Sequence, residues 1–240
     1  MLSNRIARVV RSVGALLLPW TCVVCGGAGA GSDLCGDCAD RLPALGSACP
    51  RCAQPLLSPT ALCGRCLKRL PKFDAAFAAL RYRAEVPALV QRFKLGGKLA
   101  VGRVLAERLA QAIARRAGPL PQWLLPVPLH PLRLRQRGFD QAHEICRVLS
   151  RHLALPVAWH GLVRVRDTGT QTGLKRRERR GNVFRAFAAG RPLPNAVQHV
   201  ALVDDVMTTG ATADACARVL KRQGMARVEI WSLARAGRVR

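Results

Sequence analysis

Four Cys-x-x-Cys pairs constrain this chain more than any other feature. They read CVVC (Cys22, Cys25), CGDC (Cys35, Cys38), CPRC (Cys49, Cys52) and CGRC (Cys63, Cys66), and they hold eight of the ten cysteines. Nine residues separate the first two pairs and ten separate each later one. A Cys-x-x-Cys turn offers two thiolates to one ion, and two such knuckles complete a tetrahedral four-sulfur site. The spacing predicts structural Zn²⁺ sites, two if the first pair joins the second and the third joins the fourth. Interleaved pairing, or only one surviving site, stays open, and iron suits the same thiolates. A disulfide framework needs an oxidising compartment, whereas the remainder of the chain reads as cytoplasmic. A redox role needs only one such pair, and no thioredoxin-like pattern surrounds any of them. A closed site has no free coordination position, so the block serves folding and docking rather than catalysis. With little apolar sequence of its own, it draws its folding energy from the metal. Cys146 and Cys216 lie on apolar helical faces and read as core.

The charge points to an anionic partner. Lys and Arg number 39 against 14 acids, a formal net charge of +25, which favours nucleic acid or a phosphorylated ligand. Aromatics make up only 5%, too few for a broad stacking platform. Residues 1–20 place Arg5, Arg8 and Arg11 opposite Ile6, Val9, Val10 and Val13, an amphipathic segment. Its apolar stretch is short, is interrupted by Pro19 and lacks a small-x-small cleavage site, unlike a signal peptide. No stretch is long and apolar enough to span a bilayer. Three regions result: the amphipathic segment 1–20, a double ribbon over 21–70, and an α/β domain over 71–240.

Beyond Phe73 the pattern alternates. FDAAFAALRYR reads as strand or hairpin, VPALVQRFKL as helix, and LAVGRVLAERLAQAIARRAG as a helix stopped by Gly118-Pro119. QWLLPVPL is a strand, FDQAHEICRVLSRHL a helix, QHVALVDDV a strand ending at Val203, ATADACARVLKRQG a helix and ARVEIWSLAR a final strand. Such alternation predicts a parallel sheet with helices on both faces, whose ligands bind at the carboxyl ends of the strands.

One of those ends carries ALVDDVMTTGAT. Asp204 and Asp205 sit at the strand tip, and Thr208, Thr209 and Gly210 turn into a helix beginning near Ala211. Amides at such a turn cradle phosphate. Two carboxylates beside the cradle suit sugar hydroxyls, or Mg²⁺ and its waters. An ordinary helix cap explains one of these residues but not the whole run.

This run resembles the phosphoribosyl diphosphate (PRPP) motif of type I phosphoribosyltransferases. The cysteine block, PVPLHPLRLRQRGFDQA, RVRDTGTQTGLKRRERRGNVFRAF and LVDDVMTTGAT, in that order, resemble the ComF family of competence-related proteins, including GntX-like members. Asp140 stands where many relatives have Asn. The resemblance implies a type I phosphoribosyltransferase-like domain behind the ribbons, with Mg²⁺ and PRPP as ligands. It implies Asp204 and Asp205 on the ribose hydroxyls and Thr208, Thr209, Gly210, Ala211 and Thr212 on the 5'-phosphate. Arg133, Arg135 and Arg137 would meet the diphosphate, Gly138 would permit a close turn, and Thr168, Gln171, Arg179 and Asn182 would belong to a mobile hood. Lys94 and Lys98 are further basic candidates. Implied partners are single-stranded DNA and a helicase or the DNA-uptake machinery. The acceptor of any transfer is not readable. A non-catalytic DNA-handling protein or ribbon adaptor with a vestigial PRPP site is the rival reading.

Overall fold

The computed structural model describes residues 20–58, 62–166 and 186–237. The chain forms two compact units, Met1–Leu42 and Pro43–Arg240.

The smaller unit holds the first two knuckles. Thr21 bridges Ala28, and the Gly26 amide donates to the Cys22 carbonyl at 2.8 Å, which closes a tight turn around Cys22 and Cys25. Cys35 then caps helix α1 (Gly36–Arg41), so Cys38 follows within its first turn. The third and fourth knuckles of the larger unit repeat this plan. Ala48 bridges Pro55 around Cys49 and Cys52, and Cys63 caps α2 (Gly64–Lys68), which buries Cys66.

The larger unit then continues with strand β1 (Ala75–Arg81), helices α3 (Val86–Lys94) and α4 (Leu99–Ala114), β2 (Trp123–Pro126), α5 (Pro131–Arg137) and α6 (Gln141–Leu153). Next come β3 (Leu162–Arg164), β4 (Phe187–Ala189), β5 (His199–Met207), α7 (Ala211–Arg222) and β6 (Arg227–Arg235). Four strands form one parallel sheet in the order β1-β6-β5-β2, and β3 pairs antiparallel with β4. The run from Val200 to Val203 is buried without interruption, as a central parallel strand covered on both faces must be.

Successive strand residues face opposite sides. Val200, Leu202, Val228 and Ile230 pack with Ala213, Ala217 and Leu220 of α7. The other face takes α4 against β1 and β6, and α6 against β2 and β5. Gly102 of α4 lets α3 lie close: a β-carbon there would sit 2.3 Å from the Phe93 ring.

The second ribbon is part of this sheet unit. Its four cysteines join the core on the α7 side with Phe73, Met207 and Ile230. Leu45 donates to the Ala79 carbonyl and Arg81 to that of Pro43, so residues 43–45 pair along the edge of β1. Leu45 and Ala53 also pack on Ala78. An unpaired edge strand is thereby covered. Among the described residues no helix is long and apolar enough to cross a membrane.

On the opposite face a buried acid binds the end of α4 to the sheet. Glu229, 1% exposed, accepts from Arg116 Nη1 at 2.6 Å, Arg227 Nη2 at 2.9 Å and Trp231 Nε1 at 3.0 Å. Burial alone would raise the Glu229 carboxyl, but Arg116 and Trp231 outweigh it and hold the group below its ordinary value. A depressed carboxylate contributes stability above its unfolded pKa and loses it as pH falls through the folded one. Glu229→Gln should cost about 3 kcal/mol near neutral pH. In denaturant titrations the gap from the parent should narrow as pH drops below the ordinary carboxylate range.

Candidate functional site

β2 and β6 flank β5 unequally. Pairing with β2 stops at Pro126–Val203, whereas pairing with β6 continues to Met207–Arg235. The strand therefore runs four residues beyond Val203, where the sequence alone had placed its end. The β6 ladder supplies the hydrogen bonds that a free tip would lack. Asp204 and Asp205 stand in this extension, in the notch that the described residues leave where β2 pairing ends.

The two acids have different surroundings. Asp205, 8% exposed, pairs with Lys94 Nζ of α3 at 2.8 Å. Of the two lysines in FKLGGK, Lys94 is the one brought to the acids, while Lys98 caps α4. Burial, followed by the Asp205 charge, pushes the Asp204 carboxyl up to about 7. Ser232 Oγ, whose residue is in register with Asp204, and Gln141 Nε2 at the start of α6 are buried and have no hydrogen-bond partner among the described residues. Buried orphans of this kind mark places where a ligand or water completes the bonding.

The turn after Met207 places Thr208 and Thr209 in solvent. Gly210 caps α7 with φ of 78°, the left-handed region, and brings no side-chain acceptor. A helix N-terminus so capped leaves first-turn amides other than that of Ala211 for an anion. Thr209 Oγ1 accepts from the Ala211 amide at 3.3 Å, and Ala211 and Thr212 open the helix.

The segment after β2 contains a helix rather than an extended loop. Pro131 takes the first turn of α5, and the His130 ring accepts from the Leu132 amide. Arg133 and Arg137 lie one turn apart and are half-buried, whereas Arg135 is exposed. Arg137 donates to Gln141 Oε1 at 3.0 Å, and Gly138 closes the helix. Asp140 fastens both ends of this segment: Oδ1 accepts from the Ala142 amide at 2.9 Å, and Oδ2 accepts from that of Leu129 at 3.2 Å. Thr168, Gln171, Arg179 and Asn182 lie outside the described residues.

Sequence reasoning missed the support behind the turn. Arg235, 1% exposed, donates to the carbonyls of Met207 at 2.9 Å, Thr208 at 2.5 Å and Cys52 at 2.9 Å. Arg65, inside the fourth knuckle, donates to the Thr209 carbonyl at 2.8 Å. The signal in the sequence was weak: Arg235 simply ends an apolar strand, and Arg65 is one basic residue among many. Between α7 and the run after the ribbon lies a cleft of about 370 Å³ whose lining includes Arg65, Arg69, Leu70, Pro71, Phe73 and Arg218.

The cysteines gather as two sets, Cys22, Cys25, Cys35, Cys38 and Cys49, Cys52, Cys63, Cys66, with the sulfurs of each within 4.8 Å of one another. Pairing is thus sequential. A tetrahedron with Zn–S bonds of about 2.3 Å has sulfurs about 3.8 Å apart. The observed Cys25–Cys35 and Cys52–Cys63 separations of 3.9 and 3.5 Å fit it.

Comparison with known proteins agrees with this arrangement. Residues 13–67 match the model of the double zinc ribbon domain. Competence protein F of Haemophilus influenzae is 35% identical over 207 residues, 84% of each chain. The chain belongs to the ComF family. DNA utilization protein YhgH of Salmonella typhi is 34% identical, with 84% of this chain and 90% of that one covered. Competence protein ComFC of Streptococcus pneumoniae is 26% identical, over 85% of this chain and 88% of the relative. Among solved structures, a glutamine PRPP amidotransferase from B. subtilis complexed with ADP and GMP overlaps 55% of this chain and 26% of its own. Its identity is 18% and its TM-score 0.37.

The protein purified without chelator should carry close to two zinc ions per chain by atomic absorption. Cys63→Ser should remove one ion and lower Tm by roughly 10 °C, because this cluster lies in the main core.

Proposed function

We propose that this ComF-family chain binds Mg²⁺–PRPP at the end of β5 and handles single-stranded DNA during uptake, in the cytoplasm. The observation that carries the reading is the closeness of an acid pair to a glycine-capped helix N-terminus, from Asp204 to Thr212, within the length of one sugar phosphate. The names of the relatives, competence and DNA utilization proteins, support the cellular role.

In this reading Asp204 and Asp205 accept from the ribose hydroxyls, and the amides and hydroxyls of Thr208–Thr212 take the 5'-phosphate. Arg133 and Arg137, sharing one face of α5, meet the diphosphate, and planar guanidinium groups suit its oxygens. Asp140 keeps that segment beside the notch. Carboxylate oxygens are the hard donors that Mg²⁺ prefers, and the ion would supply charge stabilisation to a departing diphosphate. Lys94 already neutralises Asp205 at 2.8 Å, so it yields or shares that acid when the ion binds. In a transfer, an acceptor lone pair forms a bond to C1 of the ribose as the C1–oxygen bond breaks, and the electron pair leaves with the diphosphate. Positioning and charge would dominate the rate.

The DNA contact is assigned to the cleft beside α7. Arg65 and Arg69 offer phosphate partners beside the Arg218–Asp214 ion pair, and Leu70 and Pro71 offer an apolar wall for a base or sugar.

Calorimetric titration with PRPP tests the first part. Binding should require Mg²⁺ and should vanish in Asp204→Ala/Asp205→Ala, and unchanged affinity in that double variant would sink the assignment. The raised Asp204 group still holds its proton over part of the neutral range. Raising the pH ionises it, so affinity should climb several-fold from about pH 6 to about pH 8, and Asp204→Asn should flatten this rise. For the second part, Arg69→Ala should weaken single-strand binding uniformly across sequences. It should also reduce the slope of log affinity against log salt by about 0.7; an unaltered slope would remove the cleft from the DNA path.

A further inference from the structure

We infer that the second zinc ribbon positions the candidate phosphate loop, so that metal at Cys49, Cys52, Cys63 and Cys66 controls anion binding on the far side of that loop. Only the identity of the ligand rests on the PRPP reading.

Three consecutive carbonyls of the loop accept from arginine guanidinium groups. Those of Met207, Thr208 and Thr209 are all held from behind, the first two by Arg235 and the third by Arg65. In a trans peptide the carbonyl and the following N–H point in opposite directions. Fixing these three oxygens therefore turns the amides of Thr208, Thr209 and Gly210 away from the ribbon. Three outward amides leading into a helix N-terminus make an anion-binding concavity.

Both arginines are themselves fixed by the ribbon. Arg65 lies between two ligands, Cys63 and Cys66. Arg235 donates to the Cys52 carbonyl at 2.9 Å and reaches Gln54 Oε1 at 3.4 Å. Two further ties join the same parts. The Lys72 amide donates to Asp214 Oδ1 of α7 at 2.6 Å, and the buried Phe73 ring lies 3.8 Å from the point where a β-carbon of Gly210 would stand.

Charge acts in the same direction. Four thiolates around Zn²⁺ carry a formal charge of −2, which a buried neighbourhood must offset. Buried Arg235, whose charge interacts with Cys52 and Cys63, offsets part of that charge and uses its remaining donors on the loop. Without the ion, the knuckle turns lose their closure, both arginines lose their anchor, and Arg235 loses its counter-charge.

The test follows the loop amides directly by hydrogen exchange in the full-length zinc-loaded protein, with PRPP titration alongside. Arg65 is exposed, so Arg65→Ala should keep its zinc and its fold. It should speed exchange at residues 208–210 roughly tenfold, leave α4 exchange unchanged and weaken PRPP binding. Arg65→Lys, which retains charge and one donor, should fall between the two. Loop exchange equal to the parent's in Arg65→Ala would overturn the inference, as would acceleration spread equally over α4. Faster loop exchange in a protein whose parent form never binds PRPP would keep the inference and discard the ligand.

Discussion

Parallel pairing of β5 with β6 is the constraint from which the candidate site follows. The ladder starts at His199–Arg227 and runs to Met207–Arg235. Because it outlasts the β2 ladder, the acids stand in a notch beyond the last β2 pairing. Because its register ends on Arg235, a guanidinium arrives directly behind the turn at Met207 and Thr208. A shift of one residue would invert every side chain of β6. Glu229 would then exchange faces with Ile230, and its buried polar cluster would be lost.

The ribbons show how a metal-dependent fold can merge with an ordinary hydrophobic one. Cys49, Cys52 and Cys66 are at most 1% exposed and pack with aliphatic side chains from β5, β6 and α7. Thiolate sulfur is polarizable and sits readily among such groups. The ribbon backbone also completes the edge of β1. Thus the cluster is at once a cross-link, a core component and an edge strand cover.

Much of this was legible in the sequence because it depends on periodicity and spacing. The helices α4, α6 and α7, the strands β5 and β6, and the sequential grouping of the knuckles all follow from local pattern. What escaped depends on partners distant in sequence. The extension of β5 past Val203 is decided by β6. The helical form of the Pro131–Arg137 stretch follows from a proline at the first turn and a His130 cap, masked by the arginines and prolines around it. The joining of the second ribbon to the sheet rests on Leu45 and Ala53 meeting Ala78, small contacts that no motif announces. Buried arginine is the least legible feature, since Arg235 reads as the polar end of a strand until its carbonyl partners are seen.

The strand order has a consequence for how the chain reaches this state. β1 has no strand neighbour until β6 exists, and β2 has none until β5 exists. Residues 199–207 must therefore be made before β2 can pair, and residues 227–235 before β1 can. Such long-range closure is slow, and during synthesis the first half of the sheet waits with unpaired edges. The knuckles, by contrast, need only their own short stretch of chain and an ion. On a translating ribosome the metal-bound segments are the parts able to order first, and a template of residues 43–45 already lies ready to cover β1.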